Sequence, residues 1–185
     1  MDILKNCAQV YSKYVDYNYT FTLDYGMSFT ASFRAEHFHH LAGLQYLSDI
    51  TQVTKRENNS AFSIYKKILK GKISQSLIEK SEFYSEVYER LLRFCKFDEI
   101  ISSKLIIDFD YSKVNTKILS KYLLYKQYED GYAILGLRYD SQKNLYVPET
   151  FFFEKTDYYI KDQISYNVIN VMPTHYKDAQ KASCC

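Results

Sequence analysis

Near Lys104 the apolar residues of this chain stop recurring at helical spacing and begin to recur in short strand-like runs. Helices first and strands afterwards leave no alternation from which parallel crossover units could be built. That order selects an α+β fold with an antiparallel sheet. Upstream, Ile3, Leu4, Cys7, Val10, Tyr11, Tyr14 and Val15 mark a helix over residues 2–16, with Asp2 placed as its N-cap. Tyr17–Leu23 and Met27–Phe33 flank Asp24-Tyr25-Gly26 and predict a β-hairpin. A short helix is expected to begin near Ala35. A second runs from Ser60 to Leu69 and stops at Gly71, and a third covers about Lys80 to Ile101.

Beyond Lys104, strands are expected at Leu105–Phe109, Lys121–Tyr128, Tyr132–Tyr139, Leu145–Phe153 and Ile164–Met172. Pro148 cannot donate to a ladder, so it demotes its strand to an edge or a bulge. The expectation is one domain over residues 1–172, helices and a hairpin followed by a sheet of four to five strands. Residues 173–185 read as a frayed tail.

The chain holds 20 Tyr and 12 Phe but no Trp, far more aromatic surface than one binding platform can use, so most of it must be packing. A net charge of +2 does not announce a nucleic-acid binder. Lys66, Lys67, Lys70 and Lys72, however, form a local patch with no acidic residue between Asn58 and Ile78. Cysteines 7, 95, 184 and 185 make no CxxC pair and no disulfide framework. No signal-peptide pattern stands at the start, and charges interrupt every apolar run, so a soluble cytoplasmic protein is expected, with no membrane partner.

Three of the four histidines, at 37, 39 and 40, lie in Phe33–Leu47. Histidine exchanges protons near neutral pH, which makes the cluster a candidate for chemistry, against a plain packing role. A metal is not expected: three imidazoles at this spacing do not surround one zinc from a helix, and no cysteine or carboxylate pair completes a site. No P-loop, dinucleotide turn, G-x-S-x-G elbow or H-E-x-x-H motif is present, and no cofactor is expected.

Three blocks carry a family resemblance: Phe38-His39-His40-Leu41-Ala42-Gly43-Leu44, Ala61 through Ser74, and Gly136-Leu137-Arg138 leading to Tyr146-Val147-Pro148-Glu149-Thr150. In order and spacing they resemble the phage-associated nuclease-like domains of the barnase–EndoU–colicin E5/D–RelE (BECR) superfamily, nearest to its fourth phage-associated group. The resemblance implies an α+β fold, with helices before an antiparallel sheet. It also implies a metal-independent ribonuclease used as a toxin or in phage–host conflict. His40 would be general base or acid, with His39 as its competitor. Lys66 or Lys67 would stabilise phosphate charge, Arg138 would serve as a second cation, and Thr150 would bond the scissile phosphate. Tyr65, Lys70 and Lys72 would hold the flanking RNA. The competing expectation is a non-enzymatic binding protein that keeps the fold. Expected partners are RNA and a protein such as an antitoxin-like inhibitor.

Overall fold

The computed structural model describes residues 2–176. Helix α1 (Ile3–Ser12) is capped by Asp2, whose carboxylate accepts from the Lys5 amide at 2.9 Å. The same carboxylate accepts from the Gln75 amide, and the Gln75 side chain accepts from the Ile3 amide. This reciprocal clamp ties the start of α1 to α4, four residues (Gln75–Ile78) that the periodicity did not reveal. Strands β1 (Tyr17–Leu23) and β2 (Ser28–Ser32) form the expected hairpin. Helix α2 (His37–Leu41) follows, and α3 (Ala61–Leu69) is capped by Ser60. The single helix expected over Lys80–Ile101 is two, α5 (Tyr84–Phe94) and α6 (Phe97–Ile101). Non-helical backbone at Lys96 (φ −106°, ψ 26°) breaks it, and Phe97, Ile100 and Ile101 turn into the core.

The remaining strands are β3 (Leu105–Asp108), β4 (Tyr122–Tyr128), β5 (Gly131–Asp140), β6 (Leu145–Glu154) and β7 (Ile164–His175). The class is α+β, but the sheet is larger than the four to five strands expected. Seven strands close a barrel in the order β1-β2-β6-β5-β4-β3-β7. The hairpin is not separate from the C-terminal sheet but forms part of its wall. The reason is β7, whose first residues pair with β3 (Leu105 opposite Asn167) while the rest pair with β1 (Leu23 opposite Val168). Closure on the other side is slight: β2 and β6 meet in parallel, with Ala31 opposite Tyr146. Strand β7 continues through His175, so residues 173–175 are strand rather than tail; residues 177–185, with Cys184 and Cys185, lie outside the described residues.

The aromatic surplus is packing, as the composition required. Tyr11 sits at the centre of the main core with its ring 5.4–6.5 Å from those of Phe33, Phe38, Tyr65, Phe94 and Phe97. Its buried hydroxyl donates to the Arg34 carbonyl at 3.1 Å, which satisfies the one polar atom in that apolar setting. A smaller cluster of Ile107, Phe109, Leu123 and Ile134 forms a second apolar group, covered by Val114, Ile118, Tyr159 and Ile160. Sequence spacing offered no disulfide framework, yet the free thiols of Cys7 and Cys95 meet here with their sulfurs 2.6 Å apart.

Strand β6 carries the bulge that Pro148 foretold. Gly136 faces Thr150 and Leu137 faces Pro148, so Glu149 is the extra residue against β5. Gly136 is needed there: a Cβ would fall on the Ser120 hydroxyl and 2.9 Å from Thr150 Cγ2. Gly136→Ala is therefore expected to lower stability by about 1–3 kcal/mol through overpacking, measured by urea unfolding. Unchanged stability would show that the β5–β6 contact is looser than described.

Candidate active site

The residues of α2 send their three imidazoles to three surroundings. His37 Nδ1 accepts from the Arg34 amide at 3.2 Å, and burial takes the ring down to a pKa of about 4. His39 is buried, with Nε2 2.7 Å from the Val53 carbonyl. His40 alone of the three is exposed.

Around His40 the chain turns sharply. Gly43, at φ +77°, ends α2 in the left-handed region that glycine adopts without strain, and leads into a 3-10 turn over Leu44–Tyr46. A Cβ at Gly43 would also come within 3.0 Å of Arg90 Cδ, so the glycine clears a path for that side chain. The turn brings Gln45 back to α2. With its amide set so that both ends are paired, Gln45 accepts from His40 Nδ1 at 3.2 Å and donates to the carbonyls of His39 and His40. Arg90 arrives from α5, its guanidinium 5.1 Å from the centre of the Tyr46 ring.

The pKa of His40 is lowered, first by partial burial and next by the neighbouring Arg90 charge. The main-chain carbonyl and the carboxylate of Glu149 act the other way, since both favour the protonated ring. The net shift favours the neutral ring, whose charged neighbours are Arg90 on α5, Lys55 and the Glu149 carboxylate on β6. Glu149 is itself held from two sides. The buried Ser120 hydroxyl donates to its Oε2 at 2.6 Å, and Arg138 Nε lies 3.7 Å from its Oε1. Thr150 is the next residue, opposite Gly136.

Of the side chains singled out in the sequence, the fold brings His40, Arg138 and Thr150 to the neighbourhood of Glu149. The helix α3 group makes other contacts. Tyr65 is buried, donates to the Ala8 carbonyl at 3.1 Å and offers no ring face to a base. Lys66 lies over the Phe62 ring at 4.2 Å, and Lys67 donates to Asn59 at 2.8 Å. Lys70 and Lys72 are exposed on either side of Gly71. Among the described residues, none of these four lysines hydrogen-bonds or ion-pairs with His40, Arg138 or Glu149. Sequence reasoning passed over Arg90, Gln45, Ser120 and Glu149. Only Glu149 left a local signal, a carboxylate beside Pro148 in a largely aromatic and apolar strand.

His40 thus has Arg90 and Glu149 among its charged neighbours, and Arg138 pairs with Glu149, on a frame of helices and a seven-strand barrel. The chain is a member of the family described as phage-Barnase-EndoU-ColicinE5/D-RelE like nuclease4, whose model matches residues 3–184. No curated protein and no solved structure matches it. Among the described residues, no helix is long and apolar enough to cross a membrane. Among them too, no group of three or more His, Cys, Asp or Glu is arranged to hold a metal ion.

The buried, neutral His37 makes stability depend on pH. Its folded pKa of about 4 lies below the ordinary value of about 6.5. The unfolded chain therefore binds more protons between those values, and stability falls as pH drops through that window. Urea midpoints from pH 7 to pH 4 should decline for the wild type. The decline should be shallower in His37→Asn, whose amide oxygen replaces Nδ1 as acceptor; equal slopes would contradict the assignment.

Proposed function

We propose that the protein is an endoribonuclease that needs no metal and cleaves RNA by attack of the 2′-hydroxyl, acting in phage–host conflict inside the cell. The observation that carries this reading is the exposed His40, its Nδ1 paired with Gln45 and its charged neighbours Arg90 and Glu149. RNA brings its own nucleophile, so the protein must supply a base and cations for the crowded phosphorane. His40, neutral at neutral pH, accepts the 2′-hydroxyl proton. Arg90 and Arg138 carry the cationic role that the sequence had offered to Lys66 or Lys67. Their planar forks suit paired contacts to phosphate oxygens better than a lysine point charge does. Glu149, fixed by Ser120, orients Arg138 and faces the imidazolium once it has formed. Thr150 lies within the same short stretch and offers a hydroxyl to the phosphate. In an in-line displacement the leaving 5′-oxygen lies on the far side of phosphorus and is protonated from solvent in this open site.

The test is cleavage of single-stranded RNA in EDTA. The wild type should cut, and His40→Ala should lose about 10²–10⁴-fold in rate while its circular dichroism is unchanged. Arg90→Ala should lose about 10²–10³-fold. Because the base must be neutral, the acid limb of the wild-type rate should have its midpoint below the ordinary histidine value of about 6.5. RNA left intact by the wild type after long incubation would overturn the reading in favour of a binding protein on the same fold.

A further inference from the structure

We propose that Cys7 and Cys95 are a reversible oxidation site, a dithiol that hydrogen peroxide converts to a disulfide linking α1 to α5. Neither residue takes part in the proposed RNA cleavage, and the site stands independently of that reading.

The geometry is specific. Cys7 lies on the buried face of α1, and Cys95 is the C-cap residue of α5 and partly open to solvent. Their sulfurs are 2.6 Å apart, although 88 positions separate them in sequence. Closing to a disulfide of about 2.05 Å shortens that separation by about half an ångström. The helices are already joined at this point: Cys7 Sγ lies 3.1 Å from the Leu91 carbonyl, and Cys95 Sγ lies 3.6 Å from the Ile3 carbonyl. The two thiols are also unequal. Burial pushes Cys7 up, while the hydrogen bond from Cys7 holds Cys95 below its ordinary value. The more accessible sulfur is therefore the one closer to thiolate, the form that reacts with peroxide.

The steps balance. The Cys95 thiolate attacks one peroxide oxygen, the O–O bond breaks, and hydroxide leaves to be protonated as water; Cys95 is now a sulfenic acid. The Cys7 sulfur attacks the sulfenic sulfur, the S–S bond forms, and the S–O bond breaks. The departing hydroxide takes the Cys7 proton and leaves as a second water. Two thiols and one peroxide give one disulfide and two waters, and a dithiol reductant reverses the change.

The experiment treats Cys184→Ser/Cys185→Ser protein with hydrogen peroxide and follows it by intact mass and peptide mapping. The expected result is loss of two hydrogens from the monomer, a cross-linked peptide pair containing residues 7 and 95, and reversal by dithiothreitol. The link should form about 10-fold or more faster in the folded protein than in urea, where a long loop must close by chance. It should also raise Tm by roughly 5–15 °C. In Cys7→Ala, Cys95 should remain as a sulfenic acid that dimedone traps. Unreacted thiols, sulfinic or sulfonic Cys95 without a cross-link, links between chains, or equal rates folded and unfolded would each overturn the proposal.

Discussion

Strand β7 is the constraint on which the rest of the structure depends. It spans twelve residues and pairs with two different strands, β3 along its first residues and β1 along the remainder. That sharing fixes the N-terminal hairpin against a sheet made more than seventy residues later in the chain. With β1 held by β7, β2 is carried round to β6, where the parallel contact between Ala31 and Tyr146 completes the barrel. Helix α2 begins just after β2 and has little slack, so barrel closure delivers it to β6 and leaves His40 facing Glu149.

The candidate site is thus an intersection of three elements with no common local origin. Helix α2 supplies the imidazole, α5 the half-buried arginine, and the β6 bulge the carboxylate. Two glycines make room for them. Gly43 lets Arg90 pass beneath the turn after α2, and Gly136 lets Ser120 reach Glu149. The electrostatics suit the proton acceptor that the proposed reaction needs. Partial burial and Arg90 keep the His40 ring neutral, while Glu149 stands ready for the charge that appears once a proton is taken.

Much of the fold was legible because its signals are local. The switch of period at Lys104 located five strands, the Gly26 turn located the hairpin, and Pro148 located a bulge that centres on Glu149. Barrel closure was not legible, because nothing in β7 itself says that its two ends have different partners. The break at Lys96 was hidden within a continuous apolar stripe, which buried residues on either side of a break prolong equally well. At the site, the family blocks pointed to His40, Arg138 and Thr150, which the fold gathers near one carboxylate. They also pointed to helix α3, where amphipathic spacing identified a polar face but could not say what that face meets. Tyr65 shows the same limit: its position in the block is plain, but its ring completes the aromatic cage around Tyr11. Arg90 gave no signal, since it reads as a solvated position on α5 and acquires meaning only when Gly43 and Tyr46 close over it.

The central claim is that His40, Arg90 and Glu149 act as one electrostatic unit, and a titration of the His40 ring by NMR tests it most directly. In the wild type the His40 pKa should lie below the ordinary value of about 6.5, and in Arg90→Gln it should rise toward that value. A ring that titrates at the ordinary value in the wild type, or one whose pKa does not move when Arg90 is removed, would contradict the account.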